Sequence, residues 1–357
     1  MLSFRPVLPE PVAASLDRVG EALGRPSLDP GTVEAALLAL DTLPADFAER
    51  ARTEIAERCR LRSAPLRLAP VLHLLVGSSP SLTRDHHLRL VERTPGLEYL
   101  CLFHWDGFVR EAALDRIRGG ARSAFFFAAI VHRLNDWVGP VRSAAARCAE
   151  RVFPKTAAET AAGAAVTLLG RTEQWGRWDG ERLILDRAFG REDVARALAQ
   201  TLRTSVTGPM PRILRHALRR PAMDRHLLDL AREAAIPAVR ATALRVLVEG
   251  RATWPGGLVR KWIDKSQGLY RHVRTLEERP LERPLPLEAL AQIGVADRSA
   301  PVRRVAAEAL VRHHSSLANA GMLLERLLSD ENPAIARRAE FVRTSRAADR
   351  DGSASEA

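Results

Sequence analysis

The strongest pattern along the chain is a short apolar stripe that keeps returning. After Pro301, residues Val302, Val305, Ala306, Ala309 and Leu310 fall at i, i+3, i+4, i+7 and i+8, one face of an α-helix. Val239, Ala243, Val246 and Leu247 repeat the stripe almost unchanged. A Val-Arg step opens each stripe. It stands at Val109-Arg110, Val141-Arg142, Val239-Arg240, Val273-Arg274 and Val302-Arg303, with a weaker form at Ile335-Ala336. The arginines are 32 residues apart from Arg110 to Arg142, 34 from Arg240 to Arg274 and 29 from Arg274 to Arg303. The 98 residues between Arg142 and Arg240 leave room for degenerate copies around Arg182 and Arg212.

A period near 32 residues is too long for a heptad and suits two short helices with their turns. Gly107, Pro140, Pro237, Pro301 and Pro333 stand at the expected helix starts, where a missing N–H is harmless. Small residues such as Ala112, Ala113, Ala144, Ala145, Thr242 and Ala243 lie just inside the stripes, where they let a neighbouring helix come close. No sustained alternation and no Asn-Gly or Asp-Gly hairpin signal is found, so no strand is expected. The fold class is read as all-α, an α-solenoid of stacked antiparallel helix pairs.

The pattern D-x4-V-R-x2-A, from Asp136 to Ala145 and from Asp297 to Ala306, resembles HEAT-like repeats, in particular the short kind of the phycobilisome-lyase type. The resemblance covers about residues 100–345. It implies that Asp136, Asp297 and Asp330 accept turn N–H groups, and that the recurrent arginines, Arg142, Arg240 and Arg303, tie neighbouring turns into a ladder. Two places depart from the pattern: Ala336 replaces the arginine of the last unit, and Asp106 stands too near Val109.

Residues 1–60 lack the Val-Arg step and carry a net charge of −3, against +14 for the remainder. They are read as a helical N-terminal cap, with helices at Pro11–Leu23, Thr32–Leu40 and Ala45–Cys59. Residues 61–345 form the repeat array, with APLRLAPVLHLL from Ala64 bridging cap and array. Residues 346–357 are polar and read as a disordered tail. The start of the chain has no unbroken apolar core and no apolar run reaches the ~20 residues of a membrane span. A cytoplasmic location is therefore expected.

Charge adds an ambiguity. The net charge is +11, but lysine occurs only at Lys155, Lys261 and Lys265, so arginine supplies nearly all of it. Either a polyanion partner or a compositional bias towards arginine explains that balance. Two basic clusters focus the first reading: Arg203, Arg212, Arg215, Arg219 and Arg220, and then Arg260, Lys261, Lys265, Arg271 and Arg274. Arg212, Arg215 and Arg219 share a helical face. Trp105, Trp137, Trp175 and Trp178 form a candidate aromatic edge, since rings beside guanidinium groups suit stacking on bases or holding ligands. Trp254 and Trp262 are placed at turns or helix ends.

Chemistry is harder to find. There is no phosphate-binding glycine loop, no HExxH and no GxSxG. Cys59, Cys101 and Cys148 are scattered and read as buried hydrophobes. His86-His87 and His313-His314 are adjacent pairs without metal-ligand spacing, expected to be exposed or capping. No metal, cofactor or small-molecule substrate is expected. The expected function is a non-catalytic helical-repeat scaffold that binds a protein or polyanionic partner on an extended surface. The alternative is a nucleic-acid-binding HEAT-like protein, extending to a DNA glycosylase for alkylated bases, whose Trp/Asp/Arg residue types this chain shares.

Overall fold

The computed structural model describes residues 6–61, 80–171, 175, 180–315, 317 and 320–354. The chain is mostly helical and divides into two units, Met1–Val194 and Ala195–Ala357. The division falls inside a helix, well away from the expected cap boundary at residue 60. The segment from Ala64, and Trp178 with Asp179, lie outside the described residues.

Unit 1 opens with α1 (Glu10–Ala22), α2 (Pro30–Asp41), α3 (Phe47–Arg50) and α4 (Arg52–Arg58), close to the expected cap helices. It continues with α5 (Pro80–Arg93), α6 (Leu97–Cys101), α7 (Gly107–Arg116), α8 (Ala124–Leu134), α9 (Gly139–Val152), α10 (Ala158–Leu168) and α11 (Glu181–Phe189). Helix α8 packs on α9, its pair partner, and on α10, while α9 packs on α7 and α11. Because α8 is covered on several sides, it is apolar all round: Phe125, Phe126 and Phe127 are fully buried. The Phe127 ring stacks on Phe153 with centroids 4.1 Å apart. Ala113, Ala144 and Ala145 are fully buried, as expected of contacts that let helix backbones approach.

Helix α12 (Glu192–Thr204) crosses the division. Unit 2 then holds α13 (Met210–Ala217), α14 (Leu227–Glu233), α15 (Pro237–Glu249), α16 (Leu287–Val295), α17 (Ala300–His313), α18 (Ala320–Leu328) and α19 (Pro333–Ala354). The pairs α14/α15, α16/α17 and α18/α19 each pack together, and the second helices α15, α17 and α19 pack in succession. Gly294 sits at one such approach. A Cβ there would lie 2.6 Å from Leu244 Cδ2 and 2.8 Å from Ala306 Cβ. Helix α19 runs to Ala354, so the stretch expected to be a tail from residue 346 is helical as far as Ala354.

The expectation of no strand fails. Between α15 and α16 stands a two-stranded antiparallel ribbon, β1 (Arg251–Asp264) and β2 (Leu269–Pro280). Val273-Arg274, read as the start of a helix, lies in β2, and Trp254 and Trp262 lie in β1 rather than at turns or helix ends. The ribbon is an insertion. The chain leaves α15 at Gly250, whose φ of 64° favours glycine, and returns where Leu281 N donates to Gly250 O at 2.9 Å. Arg283 seals the exit by donating Nε and Nη2 to Leu247 O and Val248 O. The inserted stretch is about as long as one repeat, so it kept the Val-Arg spacing in phase. A single helix-pair step therefore separates Arg240 from Arg303, not two.

Candidate functional site

The recurrent arginines form a shared joint. Arg240 sends Nε to Asp297 Oδ2 at 2.7 Å and Nη2 to Oδ1 at 3.0 Å, while its Nη1 reaches back to Ala234 O at 2.7 Å. Asp297 Oδ1 also accepts Ser299 N at 2.7 Å. Arg303 repeats this on Asp330, at 2.6 and 3.0 Å, with Nη1 on Asp297 O and Arg298 O. Asp330 Oδ1 accepts Asn332 N. Arg110 does the same to Asp136, at 3.1 and 2.9 Å, with Nη1 on His104 O and Trp105 O. Each arginine thus reads its own turn through carbonyls and the following turn through a carboxylate, a bidentate fork that lysine cannot supply.

Asp106, whose spacing set it apart, belongs to the same scheme: it accepts Arg84 Nε at 2.7 Å and Phe108 N at 2.8 Å. Arg142 donates Nη1 to Asp136 O within its own turn. Burial opposes ionisation of Asp297, yet the Arg240 and Ser299 donors hold its carboxyl below the ordinary value.

One joint differs. Asp136, with its side chain 1% exposed, also accepts Arg133 Nη1 at 2.8 Å, so two guanidinium groups share one carboxylate. Both arginines are buried, and burial, with Arg110 and Arg52 nearby, pulls the Arg133 guanidinium down to about 10. They border a cavity of about 370 Å³, which Arg52, His104, Trp105 and Trp137 also line. Trp105 and Trp137 are 63% and 71% exposed, which places their rings at its mouth. The structure therefore brings two of the expected edge tryptophans to one site. Trp175 is half-buried with its ring 5.2 Å from that of His132.

Behind the cavity, His87 Nδ1 and His104 Nε2 lie 2.9 Å apart, and His104 Nδ1 accepts Asp106 N. Both rings are buried, contrary to the expectation for His87. Burial and the neighbouring His86 push His87 down to about 4, and burial and His87 push His104 down to about 3. The pair is neutral at ordinary pH and adds no charge to the cavity. Among the described residues no three His, Cys, Asp or Glu side chains gather to hold a metal.

The basic clusters of unit 2 separate. Arg203 pairs with Glu233 at 2.9 Å. Arg212 and Arg215 are exposed on α13, whereas Arg219 lies beyond its end, half-buried and 3.8 Å from Glu277. Arg220 is half-buried with Nη1 on His216 O. The five do not form one exposed strip.

The second cluster stands on the ribbon. Its base is anchored: Trp254 is buried, with Nε1 donating to Glu277 at 2.8 Å, and Arg279 is forked onto Asp224. Above Pro255 the register shifts at Gly256-Gly257, where a Cβ on Gly256 would lie 2.3 Å from Thr275 Oγ1. Beyond that bulge stand Arg260, Lys261, Lys265, Arg271 and Arg274 against a single acid, Asp264. Trp262 pairs across the strands with Tyr270, their rings 5.5 Å apart, and the Arg260 guanidinium lies 4.3 Å from the Tyr270 centroid. Lys261 is directly opposite Arg271, a like-charge pair that disfavours the ribbon on its own. Among the described residues no helix is long and apolar enough to cross a membrane.

Sequence comparison with family models, with curated proteins and with solved structures finds no match in any of the three.

Proposed function

We propose that this chain is a non-catalytic helical-repeat scaffold of HEAT-like, solenoid type, and that its partner is a polyanion, duplex nucleic acid, engaged by the ribbon of unit 2. The observation that carries this reading is the distal ribbon. Five cations and one acid stand above the bulge, with Lys261 and Arg271 face to face. Such a pair lowers stability unless an anion settles between the two charges. A two-stranded ribbon fits the major groove, its cations reach phosphates, and the Arg260–Trp262–Tyr270 face offers stacking and apolar contact.

The state of Asp136 supports the absence of catalysis. Its oxygens accept from Arg110, Arg133 and Val138 N, and the side chain is buried, so it offers no free carboxylate to a reacting group. The stacking of successive helix pairs supports the scaffold reading, because each pair covers the apolar face of the next.

Anisotropy titration of labelled duplex DNA at several salt concentrations tests the partner. Wild type should bind with log K falling steeply against log salt. The Lys261→Ala/Arg271→Ala variant should flatten the slope by about 2, close to one for each phosphate that the variant no longer neutralises. Equal slopes for the two proteins would refute the ribbon as the binding element. A partner captured with no salt dependence would favour the protein-binding reading.

A further inference from the structure

The joint at Asp136 departs from its equivalents in one respect, and that departure identifies a second site. At Asp106, Asp297 and Asp330 one arginine fork meets one carboxylate. At Asp136 two buried arginines meet one, and a third, Arg52, borders the same cavity, whose lining contains no carboxylate. The repeat architecture needs only Arg110 here. Arg133 is an addition that places surplus positive charge in a poorly hydrated position, where an unneutralised ion is expensive. Its hydrogen bonds among the described residues run from Nη1 alone, although a guanidinium carries five N–H groups.

The mouth of the cavity carries the opposite kind of surface. Trp105 and Trp137 are large flat rings left mostly in water at positions where the fold gives them nothing to cover. A ligand that satisfies both halves must be an anion at one end and a flat ring at the other. We infer that this cavity of unit 1 binds a nucleoside monophosphate, with the phosphate on Arg52 and Arg133 and the base against Trp105 and Trp137. The volume of about 370 Å³ is within the range of small-ligand sites. Asp136, already saturated, holds the arginines in place without competing for the phosphate. The chemistry is the same for a free nucleotide and for the phosphorylated end of a strand. The site lies wholly in unit 1 and does not depend on the ribbon.

Isothermal titration of the full-length chain tests the inference with four probes: AMP, inorganic phosphate, adenosine, and a short 5′-phosphorylated single strand. AMP should saturate at one site, inorganic phosphate should compete with it, and adenosine should bind at least about tenfold more weakly. Trp137→Ala, a change at an exposed ring, should weaken AMP about tenfold and leave phosphate unchanged, the scale expected for one stacking contact. Arg52→Gln should weaken both. A strand that binds no better than AMP assigns the site to free nucleotides, and one that binds much better assigns it to strand ends; both outcomes support the inference. Absence of saturable binding of AMP and phosphate at millimolar concentration overturns it. So does binding that neither variant alters. Lys261→Ala/Arg271→Ala should retain AMP affinity, so failure at the ribbon and failure here are distinguishable.

Discussion

Replacing Arg240 with alanine probes the joint where it is least exposed to solvent. The side chains of Arg240 and Asp297 are 4% and 10% exposed, and the two bonds between them measure 2.7 and 3.0 Å. Truncation leaves the Asp297 carboxylate with Ser299 N as its remaining donor in this joint, and removes the bond from Nη1 to Ala234 O. Removing one partner of a buried pair costs about 3–5 kcal/mol, chiefly because the other charge stays buried and uncompensated. Arg147 and Asp115 provide the control. They too form a bidentate pair between turns, but their side chains are 51% and 41% exposed, so Arg147→Ala should cost less than about 1 kcal/mol. Arg240→Lys keeps the charge without the fork and should fall between. Urea unfolding followed by circular dichroism measures all three. A loss for Arg240→Ala no larger than for Arg147→Ala would refute the claim that these arginines hold successive turns together.

Two further predictions concern the interior. His87, His104 and His132 are held neutral by burial, at about 4, 3 and 3, against an ordinary value of 6.5. The unfolded chain therefore takes up protons below 6.5 that the folded chain refuses. Stability is at its full value above that pH and falls as pH drops towards 4, by up to about 1.4 kcal/mol per unit for each ring. Melting temperatures should be flat from pH 8 to pH 7 and decline from about pH 6.5; a flat profile down to pH 5 would contradict the neutral pair. Gly294→Ala forces a methyl group against Leu244 and Ala306 and should destabilise by about 1–3 kcal/mol in the same urea assay, a smaller loss if the Leu244 tip rotates away.

The helical repeat was legible because one-sided burial writes a 3.6-residue period into the sequence, and Val302, Val305, Ala306 and Leu310 are indeed buried together. The ribbon was not legible for the converse reason. Above the bulge both its faces are largely exposed, so β1 and β2 carry no apolar alternation there, and Val273-Arg274 matched the repeat by position alone. The turn from Asp264 to Gly268, where Asp264 accepts Ser266 N, was the available signal. Asp106 was set apart because its distance from Val109 is unlike that of Asp136 from Val141. What the joint requires is a carboxylate two residues before a free N–H, and that spacing is kept. Arg133 was missed because it precedes the Val-Arg step by a turn and no periodic position calls for it.

Trimming the ribbon separates what carries the fold from what carries the binding. Joining Pro255 to Leu276, which are already paired across the strands, through a two-residue turn removes the five cations and leaves the anchored base in place. The measurement is duplex affinity against salt for this variant and wild type, with the melting temperature of each recorded alongside. Unchanged melting with duplex binding abolished is the outcome expected here. Unchanged binding, or collapse of the helical fold on trimming, would contradict a helical scaffold that recognises its partner through an inserted arm.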